Sequence, residues 1–524
     1  MSVSRRELLR HTGGVCLSLC LPRLGGCAVE SEETNTRDLS IQAAPNLVFA
    51  HGVASGDPLP DAVILWTRVT PEDRGSVSVQ YVVASDSALH EIVASGDLQT
   101  DASRDYTIKV DVTGLEPDVS YYYAFNVGDV QSEVGRTRTA PLQTESARFA
   151  VVSCASYGHG YFHAYRAVAE REELNAVIHL GDYIYEYATG AFGTVRRCEP
   201  AHEILTLDDY RRRYAHYRQD SDLRALHRVH PMIVVWDDHE IANNAWHDGA
   251  QNHNPERGEG DYGARKAAAT RAFFEWQPVR ESEAGSCFRQ FAFGNLVDLI
   301  MLDTRLSGRD AQIEDANDPR FSSEGREILG REQTAWLAQA LDRSSARWRL
   351  IGQQVMVGPM PVYFNPDCWS SYPAARRRFL ELLAEHPEKD CVVLSGDVHS
   401  SWAMNLAVDP YDAALFDAES GDGAVAVELV VPGITSPFLD REMGEALEGR
   451  VLQEPHVKYA QLWRRGYMLL EVDAERVRAQ YCHFDDVQSA ERPAEHEAEP
   501  LEVHHGEHRL SKSAPRAQRR SEDS

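Results

Sequence analysis

LSGDVHSSW, residues 394–402, follows an apolar approach through Cys391, Val392 and Val393 with a small-residue turn and then Asp397 and His399, two positions apart. VIHLGDYIYEY, residues 177–187, repeats the plan: an apolar run, Gly181-Asp182, and Tyr185 three residues further on. One such turn reads as a cap or a loop. Two in one chain read as buried strands whose ends deliver polar side chains to a common point. ARFAVVSC, ending at Cys154, and PMIVVWDDHE, carrying Asp237, Asp238 and His239, have the same form. In α/β sheets ligands gather beyond the carboxyl ends of strands, where all of these residues fall.

Working outward, helical patterning lies near 161–174, 207–229, 264–276, 330–342 and 373–385. Further β runs are FRQFAFG, LVDLIMLDTR, RWRLIGQQVMVG, AVELVVPGI and YMLLEVDAERVRAQYCHF. The alternation predicts an α/β domain over 148–488, a sheet or paired sheets covered by helices. Residues 46–140 instead carry short Val-, Tyr- and Thr-rich runs separated by turn residues, which predicts an all-β region. Within it DVTGLEPDVSYYYAF (111–125) reads as the strand–turn–strand corner of a fibronectin- or Ig-like sandwich. Residues 28–45 read as a polar tether. Residues 489–524, a Glu/His/Arg/Ser mixture, read as a disordered tail.

The chain has 524 residues, 43% of them hydrophobic, which excludes global disorder and suits two domains. A formal net charge of −28 argues against a nucleic-acid partner. It does not argue against an anionic substrate, because a bound cation dominates the potential of its own site. Ser4-Arg5-Arg6-Glu7-Leu8-Leu9 reads as a twin-arginine export signal, and Leu24-Gly25-Gly26-Cys27 as a lipobox, giving a signal over 1–27. These predict passage through the twin-arginine translocation machinery, a periplasmic or cell-surface location and a lipid anchor at Cys27. A plain cleaved signal is the alternative, since Arg23 interrupts the apolar region. No later stretch approaches the ~20 apolar residues of a spanning helix. Six cysteines follow Cys27, and sequence does not pair them.

Taken singly, each strand-end residue has a plain explanation: Cys154 as core, Asp182 and Asp397 as caps, Tyr185 as packing. Their recurrence at successive strand ends favours a joint site. A thiol, a phenol, carboxylates and an imidazole form a mixed hard and soft donor set, which suggests two unlike metals sharing a carboxylate. Such pairs activate water and clamp a phosphoryl group during in-line displacement.

Ser153-Cys154, Gly181-Asp182-Tyr183-Ile184-Tyr185-Glu186, Trp236-Asp237-Asp238-His239-Glu240 with Asn243-Asn244, and Gly396-Asp397-Val398-His399 together resemble the PhoD-type alkaline phosphatases. These belong to the calcineurin-like metallophosphoesterases. HGVASGDPLPDAVILWTRV (51–69), DYRRRYAHYRQDSDLRALH (209–227), FFEWQPVR (273–280) and MLDTR (301–305) also resemble family segments. The resemblance implies an αββα sandwich behind the all-β region. It implies iron(III) held by Cys154, Asp182, Tyr185 and His399, with Asp182 bridging to calcium that Asp238 and Asp397 also contact. Asn244, or its neighbour Asn243, would complete the calcium site. His239 would contact phosphate and the leaving group, or else support Asp238. Arg305 would reach phosphate or make an outward salt bridge. The implied activity is hydrolysis of phosphomonoesters by metal-activated water, in an exported alkaline phosphatase acting on small or polymeric phosphate esters. A phosphodiesterase or phospholipase D-like enzyme of the same family is the alternative. A non-enzymatic cell-surface binding module is the rival from another class. Family members carry a C-terminal helix over the metals, and the polar tail here offers no clear equivalent.

Overall fold

Strands buried on both faces read as continuous apolar runs, and such runs form the centre of this molecule as two stacked sheets. A computed structural model describes residues 47–73, 75–281, 285–360 and 364–512. Arg5, Arg6, Cys27, the tether 28–45 and residues 513–524 lie outside the described residues.

In the first sheet the strands Ser146–Val152, Ala176–His179 and Pro231–Val234 lie side by side and parallel. Val152 is level with His179 and His179 with Val234, so their carboxyl ends open at one height. In the second sheet Val297–Met301, Trp348–Gly352 and Asp390–Ser395 are parallel neighbours in the same way. The alternation of side chains along a strand sorts them between two cores. Leu299, Leu350, Val392 and Leu394 pack between the sheets with Val151 and Ile178. Ile300, Ile351 and Val393 turn outward against the helices Gly330–Arg343 and Pro373–Ala384. The helices Leu207–Tyr217, Ser221–Val229 and Tyr262–Trp276 contribute to the core on the first sheet's side. The α/β expectation therefore holds, with helices outside paired sheets.

Three expectations are corrected, the last being the tail. The single helix expected over 207–229 is two, because Asp220 accepts from the backbone N–H of Asp222 and Leu223 and starts a new helix. The strands Ser401–Leu406 and Val457–Gln461 and the helix Arg441–Val451 extend the second sheet and its flank beyond what was read. The region 46–140 shares a sheet with the rest of the chain. Two β-sheet layers enclose a core of Val63, Leu65, Val79, Val83, Ile108, Tyr123 and Phe125. One of those layers continues the first sheet, since Ser55 and Gly56 pair in parallel with Pro231 and Met232.

The disordered tail is also corrected as far as residue 512. Leu501–His504 pairs with Arg476–Ala479, and Leu510–Lys512 pairs with it in turn. Composition over a long window hid the strand: Leu501, Glu502 and Val503 are 4%, 3% and 2% exposed, and the Glu502 carboxylate is paired with Arg476 at 2.6 Å. A strand that adds to an existing edge needs few apolar residues of its own, because the sheet supplies the backbone partners.

Candidate metal centre

Six strand ends converge where the two sheets open. Cys154, Asp182 and Asp237-Asp238 follow the parallel strands of the first sheet, while Arg305, Gln354 and Asp397-Val398-His399 follow those of the second. Cys154, Asp182, Asn244, Asp397 and His399 all have φ between 53° and 62°. Left-handed backbone costs a non-glycine residue about 1–2 kcal/mol. Five of the seven expected ligands share it, and strain held in this way clusters at functional sites.

Backbone stitching holds the turns together. Cys154 N–H donates to Gly181 O at 3.1 Å and Ala155 N–H to Asp182 O at 2.8 Å. Glu240, which sequence reasoning passed over, accepts from the N–H of Asp182 (3.0 Å), Tyr183 (2.6 Å) and Asp237 (2.7 Å). One buried carboxylate thus ties two ligand turns together, and burial pushes its pKa up to about 8. Gly181 (φ +106°) lets those turns touch: a Cβ there would lie 2.4 Å from Asp237 N.

The ligand-bearing atoms fall into three overlapping groups. Cys154, Asp182 and His399 form one, Asp182, Asp238 and His239 a second, and Asp237, Asp238 and Asp397 a third, each with donor atoms within 4.8 Å of one another. Asp182 belongs to the first two and Asp238 to the last two; only Asp182 links the thiol and His399 to the carboxylates. Tyr185 joins the first group: its hydroxyl donates to Asp182 Oδ2 at 2.8 Å, lies 3.2 Å from His399 Nε2 and accepts from Ser436 Oγ at 2.6 Å. His399 Nδ1–H donates to Pro437 O at 3.0 Å, which directs Nε2 to the centre. Asn244 N–H donates to Asp238 Oδ2 at 2.5 Å and its Nδ2 to Gln251 at 2.9 Å. Asn244 is buried and Asn243 half-buried, so Asn244 is the better placed of the pair.

The donor set fits metal ions. Burial, then the charges of Asp182 and Asp237, push the Cys154 thiol up; burial, then Asp182 and Cys154, do the same to the Tyr185 phenol. Burial raises Asp182 to about 7. A crowd of carboxylates, a thiol and a phenol that all resist ionisation is what a cation reverses, releasing their protons as it binds.

His239 stands beside the ligands. Its Nδ1 meets Glu186 Oε2 at 2.7 Å, and its ring stacks on Tyr185 with centroids 4.2 Å apart. Glu186 is itself held by Asn243 N–H (2.8 Å) and Asn252 Nδ2 (2.7 Å). Burial opposes the imidazolium, but Asp238, Asp182 and Glu186 outweigh it and raise the His239 pKa well above its usual value. Glu186 lay in the quoted YIYEY, and only its partners reveal its use.

Arg305 corrects an expectation. It neither reaches outward nor faces a substrate: it is fully buried, with Nε on Asp237, Nη1 on Asp367 (2.6 Å) and Nη2 on Asp397 (2.9 Å). Asp367 also takes Arg309 at 2.7 Å, and the two guanidiniums hold it below the usual carboxylate range against the effect of burial. Arg305 is a clamp on the carboxylates. All six cysteines described are buried and free of disulfides. A surface hollow of about 870 Å³ lies at the opposite end of the sheets, among Thr144, Arg347, Lys389 and Asp473, and no ligand turn reaches it.

Paired sheets whose parallel strands end on this rim gather a candidate metal centre. Residues 149–481 match the PhoD-like phosphatase family, and residues 34–141 match the N-terminal domain of PhoD-like phosphatases. The chain is 36% identical over 475 residues to alkaline phosphatase D of Bacillus subtilis (strain 168), covering 84% of this chain and 79% of that one. A solved structure of PhoD aligns with a TM-score of 0.80 at 33% identity, covering 90% of this chain and 93% of that one. The chain belongs to the PhoD-like phosphatase family. Among the described residues no helix is long and apolar enough to cross a membrane.

Proposed function

We propose that this phosphatase is an exported, metal-dependent enzyme that hydrolyses phosphomonoesters at a mixed iron–calcium centre. The observation that carries the proposal is the double membership of Asp182, shared between the Cys154/His399 group and the Asp238/His239 group. Cys154, Asp182, Tyr185 and His399 would hold iron(III), the harder and more polarising ion, with the phenol and thiol ionised. Asp238, Asp397 and Asn244, with Asp182 shared, would hold calcium through oxygen. When bound, the metals supply an activated water and a positive clamp on the phosphoryl oxygens.

The protein's own residues do the rest. Glu186 fixes His239 by Nδ1, so Nε2 is the atom that meets the ester. Glu186, outside the proposed ligand set, favours the protonated ring, which suits it to balance charge on phosphorus and to donate a proton to the departing oxygen. Arg305 and Glu240 keep the ligand turns at fixed spacing.

Two measurements test the reading. Metal analysis of purified protein is expected to find iron and calcium, with a visible phenolate-to-iron band that Tyr185→Phe abolishes while the fold survives. A colourless protein, or a variant that keeps the band, refutes the Tyr185 assignment. Metal-loaded protein is expected to cleave aryl phosphomonoesters faster than the matching diesters. The reverse order makes it a phosphodiesterase, and neither reaction leaves a binding module.

A further inference from the structure

Three aromatic rings at the rim of the candidate metal centre have no part in holding metals or moving protons. Phe192 stacks on Tyr185 with centroids 5.5 Å apart and planes 20° from parallel, and on His239 at 6.3 Å and 18°. Tyr187 meets Phe192 at 5.2 Å and His239 at 5.3 Å. His159 meets Phe192 edge-on at 4.3 Å. Tyr185 and His239 are buried, whereas His159, Tyr187 and Phe192 are half-buried. The residue that covers the two inner rings is itself partly open to solvent.

The loop that carries Phe192 fixes it there. At its base Thr189 N–H donates to Ala201 O at 2.8 Å, and Cys198 N–H to Thr189 Oγ1 at 3.0 Å. Its tip is pressed on a second turn. Val195 N–H donates to Gly158 O at 2.8 Å, and a Cβ at Gly193 (φ +88°) would lie 2.4 Å from the Gly158 carbonyl carbon. A Cβ at Gly158 would in turn lie 2.7 Å from Phe192 O. Two facing glycines let the chains touch, and that contact limits where the Phe192 ring can stand.

This placement bears on what leaves the centre. With Nε2 of His239 at the departing oxygen, the alcohol part of an ester has no room inward, where Asp182, Asp238 and Tyr185 are buried among the ligand turns. It extends outward, past Tyr187 and Phe192. The Phe192 side chain has no donor or acceptor, so it offers that alcohol an apolar face alone. Aromatic rings gain most from one another when offset-stacked or edge-on, and the near-parallel Phe192 and His239 set the plane for a third ring.

We propose that Phe192, with Tyr187 beside it, forms a leaving-group subsite that selects phosphomonoesters of flat, apolar alcohols, aryl esters above all, over those of small hydrophilic alcohols. This rests on His239 serving phosphomonoester hydrolysis as proposed. His239 and the metals act on the phosphoryl group whatever the alcohol; Phe192 acts on the alcohol, so it sets which esters are bound well.

The experiment uses the full protein with its metals. Phenyl phosphate and ethyl phosphate serve as substrates, and phenylphosphonate and methylphosphonate as inhibitors that bind without reacting. Phe192→Leu keeps an apolar cover and removes the ring, Phe192→Ala removes both, and Phe192→Tyr keeps the ring. Loss of the ring is expected to cut kcat/KM for phenyl relative to ethyl phosphate by roughly 2- to 10-fold, mainly through KM. Phenylphosphonate is expected to weaken against methylphosphonate by the same factor, and Phe192→Tyr to keep the parent's ratios. Equal losses on both esters, or unchanged ratios in Phe192→Leu, make Phe192 a mere cover for His239 and overturn the subsite, with the phosphatase reading left standing. Unaltered protein that binds methylphosphonate as tightly as phenylphosphonate overturns it too. Unaltered protein that hydrolyses neither ester overturns the reading of the reaction, and the subsite with it. If Phe192→Ala fails to fold, Phe192→Leu decides.

Discussion

Gly181→Ala tests the closeness of the two ligand turns. The added Cβ would meet Asp237 N at 2.4 Å and the Trp236 carbonyl carbon at 2.8 Å, both backbone atoms that no rotamer can move. Relief to ordinary contact at 3.4 Å shifts one turn by about 1 Å. The φ of +106° adds a left-handed penalty of about 1–2 kcal/mol for a residue with a Cβ. Overpacking in a filled interior adds about 1–3 kcal/mol. The expected loss is about 2–5 kcal/mol, within reach of a folded protein holding ~5–15 kcal/mol. A 1 Å misplacement at a reacting centre costs roughly 100-fold in rate. The variant should therefore stay folded, lose about 100-fold in kcat/KM on an aryl phosphate, and retain less metal after dialysis. Gly114→Ala is the control: φ is +79° but nothing lies within 4 Å, so it should cost stability alone. Gly181→Ala with kcat/KM within threefold of the parent, and destabilised by only about the same 1–2 kcal/mol as the control, would refute the close-approach argument.

Other outcomes follow from particular contacts. Glu186→Gln weakens the ion pair on His239 at 2.7 Å and should lower kcat more than it raises KM, with metal content unchanged by elemental analysis. Arg305→Lys replaces a three-way clamp by a point charge and should destabilise by about 3–5 kcal/mol in urea unfolding, with weaker calcium retention. Truncation after residue 494 removes the buried Leu501 and Val503, which should cost about 3–6 kcal/mol and lower Tm measurably. Replacing Arg5 and Arg6 by lysine should leave precursor in the cytoplasm by fractionation, since a twin-arginine signal is read by more than its charge.

The candidate site was legible because strand ends announce themselves: an apolar run, a small-residue turn, then a polar residue that no core needs. Cys154, Asp182, Tyr185 and His399 lie together, as the recurring strand-end turns and the resemblance led one to expect. What supports them was not legible. Glu240 and Glu186 are ordinary acidic residues in sequence, and only their partners, set by folding distant segments together, give them work. Arg305 misled because an arginine near a phosphate site has an obvious use, whereas its actual neighbours, Asp237, Asp367 and Asp397, come from three separate loops. The tail misled because disorder is judged on average composition, and a strand that joins an existing edge needs only Leu501 and Val503.

The pairing of Ser55 with Pro231 has a consequence for synthesis. The strand Val53–Gly56 leaves the ribosome long before its parallel neighbour Pro231–Val234 exists, and the central strand Ser146–Val152 waits longer still for Arg465–Asp473. Neither the first hundred residues nor the first three hundred can complete the sheet that carries Cys154 and Asp182. Pairings this distant in sequence make closure late and slow. The nascent chain therefore exposes open strand edges until nearly its whole length has emerged, a period in which chaperone binding protects it from association. The Asp397–His399 turn is itself made late, so the candidate metal centre is a property of the finished polypeptide and of no growing fragment of it.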